Sequence, residues 1–299
     1  MGTQRLSRFS RASSAKPFEI TERDREIVRL VHKHRFLRSS HLTTLLGGSQ
    51  QNILRRLQLL YHHGYLERPR IQIDAYHRPG SRHIIYGLGD EGESLLKRES
   101  ANALRPVSWE EKNTAVGRVF FEHALLVSDV MVAIEIACRQ RGIRLIADLE
   151  LNLPNQGRPF RWKVNIGKRK LGVIPDQVFA LEFARADGVL QRSYFFLEAD
   201  RGTMPVKRHI LHQTSFHRKF LAYEATWTQN VHRDFGFHRF RVLTVTTSPA
   251  RVKSLIAECS QLESGQGLFL FADTSILSAD ILSFLWQTAK PGEAASLLD

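Results

Sequence analysis

Three carboxylates on two neighbouring predicted strands are the residues of this chain best suited to chemistry. Asp176 follows Pro175 on one strand, and Glu198 and Asp200 stand two residues apart on the next. Residues two apart on a strand share a face. Carboxylate oxygens are the ligands that Mg²⁺ and Mn²⁺ prefer, and such an ion can assist the hydrolysis of a phosphodiester. The three acids are therefore candidate metal ligands and candidate catalytic residues.

The turn that joins the two strands decides whether Asp176 lies beside the other acids. A two-residue turn at Asp187-Gly188 sets Asp176 opposite Ala199, which sends the acids to opposite faces. A three-residue loop at 186–188, with its glycine in the left-handed conformation, sets Asp176 opposite Glu198. Only the second register builds a metal site.

The segments Pro175-Asp176 and Glu198-Ala199-Asp200 resemble the PD-(D/E)xK signature of the restriction-endonuclease-like superfamily. That resemblance implies that the aspartate of the first segment and the glutamate of the second bind a divalent metal, while a lysine helps to activate water. Asp200 stands where the lysine is expected. Lys207 or Lys219 on the following segment would have to replace it, and three acids without a lysine are equally typical of an inactive nuclease fold.

These segments also resemble the plasmid replication-relaxation family of mobile elements. The similarity covers roughly residues 18 to 250, and its most specific parts are Pro175-Asp176 and Glu198–Thr203. The resemblance implies a role in replication or DNA relaxation. It also implies DNA as a partner, with a plasmid relaxase or replication protein as a further candidate partner.

A helix predicted over 50–63 has an outer face that suits a DNA groove. Ser49 is placed to cap it, and Ile53, Leu54, Leu57 and Leu60 are assigned to its core face. Its outer positions are Gln, Asn and Arg, with no acid before Tyr65, and these residue types contact base edges and phosphates. An ordinary solvated face is the alternative interpretation. The candidate DNA-binding residues are Ser49, Gln50, Gln51, Asn52, Arg55 and Arg56 on this helix, with Arg78 and Arg82 beyond it.

The elements around this helix predict a winged helix-turn-helix domain over 18–105. Thr21 begins a first helix, and Ser39 or Ser40 caps a short second one that Gly47-Gly48 ends. After the third helix, two short strands at 65–66 and 84–86 enclose a basic tip at 76–82, which contains Arg78 and Arg82 and is typical of a wing. A fourth helix follows.

A second domain is predicted over 106–299, after a linker near 102–108. Its pattern indicates a mixed-sheet α/β domain that resembles the restriction-endonuclease-like fold, so the fold class of the whole chain is α/β. Residues 1–17 are interpreted as a disordered basic tail. The assigned helices are 120–139, 208–227, 249–262 and 281–286, and the strands are 143–151, 171–183, 193–200, 240–246 and 268–271.

Charge is concentrated where DNA binding is expected. The chain carries a net charge of +13. Residues 1–105 hold 19 Lys and Arg against 10 Asp and Glu, and the remainder holds 24 against 20. A basic excess of this kind favours a polyanionic partner.

Other features of the sequence narrow the class of protein. Two cysteines, Cys138 and Cys259, exclude a disulfide framework and a multi-cysteine zinc site, and no apolar run reaches membrane-spanning length, so a cytoplasmic protein without a membrane partner is expected. The chain also lacks a Gly-Lys-Ser/Thr phosphate loop and a dinucleotide-binding glycine fingerprint.

These observations favour a DNA-binding protein of a plasmid or other mobile element that acts in replication or relaxation, with a nuclease-like C-terminal domain. Two alternatives stay open at this point. The first is an endodeoxyribonuclease that depends on Mg²⁺ or Mn²⁺ and uses Asp176, Glu198 and Asp200. The second is a transcriptional repressor with a ligand-sensing C-terminal domain, which leaves the three acids unexplained.

Overall fold

A computed structural model describes most of the chain and shows a mixed α/β protein. The described residues are 8–12, 17–73, 83–99, 117–148, 150–151, 153, 160–184, 187–208 and 213–299. The chain divides into two compact units, residues 1–132 and 133–299. Among the described residues, no helix is both long enough and apolar enough to cross a membrane.

In the described residues of the first unit, a helix and a short strand come first, two helices follow, and two strands and a further helix come after them. In chain order the elements are α1 (Glu22–His34), β1 (Phe36–Arg38), α2 (Ser39–Leu46), α3 (Gln50–His62), β2 (Leu66–Glu67), β3 (Ile85–Leu88) and α4 (Asp90–Glu99). The three strands form a small antiparallel sheet with the order β1-β3-β2.

Local signals in the sequence begin these helices. The Thr21 side chain accepts the backbone N–H of Asp24, and Asp24 in return accepts the N–H of Thr21, which forms a capping box. Ser49 caps α3 as predicted, since its hydroxyl accepts the N–H of Asn52 at 3.4 Å. The prediction for α2 was one residue late, because Arg38 is its N-cap.

The core of the first unit follows the helical period except at one position. Ile53, Leu57 and Leu60 of α3 are fully buried, whereas Leu54 is 40% exposed. The assignment of Leu54 to the core face was wrong. Residues 53, 57 and 60 share one stripe of the helix, and Leu54 lies about 100° around the axis from it.

A long helix, α5 (Arg118–Arg141), contains the division between the two units. Near its start, Phe121 and Leu125 pack with Phe36 and Ile85 in one apolar cluster. The first unit therefore continues beyond the boundary placed after residue 105, because the beginning of α5 completes its core. The predicted linker at 102–108 has only residues outside the described part of the chain.

The second unit is built on a seven-stranded mixed sheet with a separate two-stranded hairpin. The elements are β4 (Arg144–Ala147), β5 (Trp162–Ile166), β6 (Arg169–Val173), β7 (Gln177–Ala184), β8 (Leu190–Ala199), α6 (Phe216–Thr228), β9 (Phe240–Thr246), α7 (Pro249–Cys259), β10 (Phe269–Asp273), β11 (Trp286–Thr288) and β12 (Ala294–Ala295). The order of strands in the sheet is β12-β11-β10-β9-β8-β7-β4. Neighbours β8, β9 and β10 are parallel, and α6 and α7 form the crossovers between them. The hairpin joins β5 to β6.

Several predictions for this unit need correction. The single strand predicted over 171–183 is two strands, because Pro175 lies between β6 and β7 and has no N–H to donate to a ladder. Strand β5 was missed. The helix predicted near 281–286 is wrong, since these residues form turns that lead into β11 and bury Trp286 in the sheet.

The β7–β8 hairpin adopts the register of the three-residue loop. Gln177 pairs with Leu197 and Ala184 pairs with Leu190. Gly188 has a φ of 78°, in the left-handed region that favours glycine. Residue 186 of the loop is outside the described residues. The register therefore directs Asp176 toward Glu198 and away from a pairing with Ala199.

Candidate functional site

The outer face of α3 has the composition and exposure expected of a surface that contacts DNA. Gln50, Gln51, Asn52 and Arg55 are exposed, and Gln58 is half-buried. Together with the exposed Leu54, they form a face that contains no acidic residue. Donors and amides of this kind can reach both base edges and phosphates.

Arg56 is held within the first unit and not presented on that face. Its Nε donates to Asp24 Oδ1 at 2.9 Å, and its Nη2 donates to Oδ2 of the same carboxylate. Nη2 also donates to the Glu19 carbonyl at 2.8 Å, and the guanidinium lies over the Phe18 ring at 4.4 Å. Asp24 is fully buried. We therefore assign Arg56 to the support of α3 and not to direct DNA contact.

The remaining predicted DNA-binding residues differ in what the structure says of them. Ser49 is exposed and serves as the cap of α3. Arg78 and Arg82, on the predicted wing, lie outside the described residues.

In the second unit, Asp176 stands where β7 begins and closes the end of the β7–β8 ladder. Its backbone N–H donates to the Leu197 carbonyl at 3.0 Å, and its Oδ2 accepts the N–H of Ala199 at 2.7 Å. The Asp176 carboxylate thus takes the place of a backbone carbonyl as the acceptor for the Ala199 N–H, just beyond the pair of Gln177 and Leu197. This contact keeps the Asp176 carboxylate next to the backbone of Glu198.

Glu198 lies at the carboxyl end of β8, where α6 brings a lysine and a tyrosine to it. Lys219 Nζ donates to Glu198 Oε2, and Tyr223 Oη donates to Oε1 at 2.5 Å. Lys219 and Tyr223 are four residues apart, so they share one face of α6. Glu198 is 2% exposed. A buried carboxylate is thereby bound through both oxygens.

Burial and neighbouring charges shift the ionisation of this group of residues. Burial raises the pKa of Glu198 to about 6, Lys219 opposes the rise and Asp176 adds to it. Burial lowers the pKa of Lys219, but the Glu198 and Asp176 carboxylates raise it by a larger amount, so the net shift is upward. Burial and the Glu198 charge raise the pKa of Tyr223 well above its usual value. Lys219 therefore stays a cation beside two carboxylates.

Asp200 has a different environment from Glu198. Its Oδ2 accepts Thr246 Oγ1 at 2.8 Å and Arg251 Nε at 2.7 Å, and its Oδ1 accepts the N–H of Gly202 at 2.8 Å. Gly202 has a φ of 74°, which favours glycine. Asp200 thus joins the end of β8 to β9, α7 and the following turn, which is a structural role.

The three acids do not form a common metal site in this arrangement. The described residues contain no group of three or more His, Cys, Asp or Glu that could hold an ion. Arg251 neutralises Asp200, which leaves Asp176 and Glu198 as the nearest pair. Mg²⁺ is often bound by only one or two carboxylates together with water. The three-carboxylate site predicted from the sequence is therefore not found among the described residues, and an ion held by Asp176 and Glu198 would have to replace Lys219 or Tyr223 at a Glu198 oxygen.

A cleft of about 200 Å³ opens in front of Glu198 and Lys219. Ser215, which caps α6, and Arg218 also line it. An anion in this cleft would meet a lysine, an arginine and the N-terminal end of a helix, which attracts negative charge. The cleft thus combines one carboxylate, Glu198, with cations and a helix start that favour an anion.

Sequence reasoning missed two residues of this region. Tyr223 stands in an apolar helical pattern that predicts core packing, and Arg251 stands in the first turn of α7, where no local signal points to Asp200. Lys219 was one of the two lysines considered, and it is the one that reaches Glu198. Lys207 instead lies 3.1 Å from Glu258.

Comparisons with known proteins identify the family of this chain. No curated protein matches the chain, and no solved structure matches it either. The replication-relaxation family matches residues 28–237, which is more than half of the chain and includes α3, Asp176, Glu198 and Lys219. The chain therefore belongs to the replication-relaxation family.

Proposed function

We propose that this protein binds duplex DNA of a plasmid or other mobile element and acts in its replication or relaxation. Family membership supports the biological setting. The element order of the first unit, with α2 and α3 between β1 and β2 and the sheet order β1-β3-β2, supports a winged helix-turn-helix. In that interpretation α3 is the recognition helix. A relaxase or replication protein of the same element is a candidate partner.

The observation that carries this proposal is the exposed face of α3. Asn and Gln are suited to adenine, and Arg is suited to guanine, through paired hydrogen bonds in the major groove. The cap by Ser49 and the ion pair between Arg56 and Asp24 hold the helix while leaving Gln51, Asn52 and Arg55 exposed. A helix fixed from behind can present these side chains with little loss of entropy on binding.

Site selection from random duplexes, followed by titration of the selected duplex, tests the proposal. The double variant Asn52→Ala/Arg55→Ala is expected to lose specific binding, since each paired base contact contributes about 1–3 kcal/mol of discrimination. Arg98→Ala is the matched control, because Arg98 is an exposed arginine on α4 of the same unit. Equal binding by the wild type and the double variant would show that α3 is not the recognition helix.

The wing is tested separately through the dependence of binding on salt. Arg78 and Arg82 are proposed to contact phosphates or the minor groove. Their joint replacement by alanine should weaken binding to every duplex and reduce the slope of log K against log salt by about 0.9 for each lost phosphate contact. An unchanged slope would remove the wing from the interface.

A second candidate function is cleavage of DNA assisted by Mg²⁺ or Mn²⁺. The observation that favours it is the grouping of Asp176, Glu198 and Lys219 beside a cleft lined by Arg218. Asp176 and Glu198 would hold the ion, which would polarise the phosphodiester and water when bound. Lys219 would balance the charge of the carboxylates. Asp200 is assigned to structure.

Nicking of supercoiled plasmid and binding of Mn²⁺ test this second function together. Wild type is expected to bind Mn²⁺ and to nick the plasmid, whereas Asp176→Asn should do neither and should still bind duplex DNA through α3. Arg169→Ala, an exposed change on β6, is the control for general effects of mutation. Failure of the wild type to bind Mn²⁺ at millimolar concentration would refute this second function.

A further inference from the structure

A second and larger cleft lies at the opposite end of the same strands of the second unit. It involves the beginnings of β8 and β9, whereas Glu198 and Asp200 lie at and just beyond the carboxyl end of β8. Its volume is about 570 Å³, within the range of pockets that hold small ligands. The residues that matter for its chemistry are the cations Arg192, Arg239, Arg241 and Lys290, the aromatic residues Tyr194 and Trp227, and the acid Asp299.

Two of the four cations in this cleft have carboxylate partners nearby. Arg192 Nε donates to Glu182 at 2.9 Å, and Lys290 lies 3.4 Å from Glu293. Arg239 is exposed. Arg239 and Arg241 are thus the two cations of the lining that have no carboxylate within ion-pair distance among the described residues.

Arg241 is half-buried, and its Nη1 donates to the Ser296 carbonyl at 3.1 Å. No carboxylate of the described residues lies within ion-pair distance of its guanidinium. Burial lowers the pKa of Arg241, Asp299 opposes the fall, and the neighbouring Arg239 adds to it. A partly desolvated guanidinium beside a second one is a place where a bound anion would be stabilised.

Aromatic rings complete the lining of the cleft. Trp227 stacks on His232 with ring centroids 4.9 Å apart, and Tyr194 stacks on Phe237 at 4.1 Å. Trp227 and Tyr194 are half-buried, so part of each ring is accessible. Their packed faces hold the rings in place. Rigid aromatic surface next to cations is the combination that binds unpaired bases and their phosphates.

We propose that this cleft binds an unpaired nucleotide, with its phosphate on Arg239 and Arg241 and its base against Trp227 or Tyr194. Two sources share this chemistry, namely single-stranded DNA and a free nucleotide. Of the two, the net positive charge of the whole chain favours a strand. The proposal does not depend on α3. His238, Arg239 and Arg241 also lie beyond residue 237, where the family match ends.

Binding of a fluorescein-labelled 12-nucleotide oligo(dT), followed by anisotropy of the full chain, tests the proposal. Arg239→Ala/Arg241→Gln is the test variant, in which glutamine keeps a donor for the Ser296 carbonyl. It should lower the affinity at least about tenfold, because the charge-assisted hydrogen bonds from two arginines to the phosphate are lost. The slope of log K against log salt should fall by about 1.4, since two phosphate contacts to a single strand are lost.

Two control variants separate this site from other sources of binding. Arg161→Ala/Arg169→Ala removes two exposed arginines of the same unit and should leave the affinity for oligo(dT) unchanged. Asn52→Ala/Arg55→Ala should also leave it unchanged, whether or not α3 binds duplex DNA. Equal losses in the cleft variant and the arginine control would overturn the proposal, because they would indicate a general effect of charge.

Competition assays identify the source of the nucleotide. Displacement of oligo(dT) by unlabelled oligo(dT) but not by dTMP assigns the cleft to a strand, and displacement by dTMP as well assigns it to free nucleotides too. Quenching of tryptophan fluorescence on binding, removed by Trp227→Phe, would place the base against Trp227, and binding without such quenching would place it against Tyr194. Absence of binding by both ligands would refute the proposal, as would equal competition by a duplex or by polyglutamate.

Discussion

The ion pair between Arg56 and Asp24 allows a sharp test of how α3 is held. Asp24 is fully buried in the capping box of α1, and its carboxylate accepts two hydrogen bonds from the Arg56 guanidinium. Arg56→Ala would leave that carboxylate with Thr21 as its remaining side-chain partner. Removing one member of a buried pair costs about 3–5 kcal/mol.

The Arg56 side chain is 26% exposed, so water can enter where the guanidinium lay. We therefore expect the free energy of unfolding of the first unit to fall by about 2–3 kcal/mol, below the range for a fully buried pair. Arg55→Ala is the matched control one position away. It should change stability by less than about 0.5 kcal/mol, because Arg55 is exposed.

The pH dependence of this effect follows from the Asp24 pKa. Burial raises that pKa, but the hydrogen bonds from Arg56 and Thr21 together lower it by a larger amount, so the net shift is downward from 3.8. A lowered carboxyl pKa gives stability that is complete above the unfolded pKa and is lost as pH falls through the folded one. The difference between wild type and Arg56→Ala should therefore be largest near pH 7 and should shrink below about pH 4.

Urea unfolding followed by circular dichroism gives the stability, and hydrogen exchange of the α1 and α3 amides assigns the loss to the first unit. Titration with duplex DNA under conditions where both variants are folded gives the second readout. If the Arg56→Ala variant is as stable as the Arg55→Ala variant and yet fails to bind DNA, Arg56 is a DNA contact. That result would refute the assignment of Arg56 to the support of α3.

Three further predictions concern other parts of the chain. Arg251→Ala leaves Asp200 buried beside Thr246, so we expect a loss of about 2–4 kcal/mol in urea unfolding, whereas the exposed Lys253→Ala on the same helix should have little effect. The raised pKa of Glu198, about 6, gives stability that is complete below the unfolded value of 4.5 and is lost as pH rises through 6; unfolding measured from pH 4 to 8 should show this loss in wild type and a flatter profile in Glu198→Gln. Gly92→Ala would place a Cβ 2.3 Å from the Tyr65 carbonyl oxygen and should lower the melting temperature, while Gly172→Ala, where a Cβ meets open space, should not. Equal melting temperatures of the two variants would show that α4 can move away from Tyr65 without loss of stability.

The sequence by itself determined the features that depend on near neighbours along the chain. Thr21 and Ser49 cap their helices through backbone groups three residues away, and the 3.6-residue period identified the buried stripe of α3. The same reasoning left two registers for the β7–β8 hairpin. Its tertiary pairing selected the one with Gly188 in the left-handed conformation.

Local patterns were least informative where a break or a short apolar run could be interpreted in two ways. Leu54 fits the edge of an apolar stripe, but it lies about 100° around the helix axis from the buried residues and stays 40% exposed. The run that ends at Trp286 has a helical period, yet the free edge of β10 pairs with β11. A sheet edge satisfies backbone hydrogen bonds that a short isolated helix cannot maintain.

The tertiary structure alone decided which cation neutralises which acid. Arg56 lies 32 residues from Asp24, Lys219 lies 21 residues from Glu198, and Arg251 lies 51 residues from Asp200. No local spacing encodes such pairs, because they form when the crossover helices pack on the sheet and when the Arg56 side chain of α3 reaches the start of α1. The sequence supplied the three acids at 176, 198 and 200. Packing separated them into a pair beside Lys219 and a structural anchor on Arg251, because a buried carboxylate is stable only where a partner reaches it.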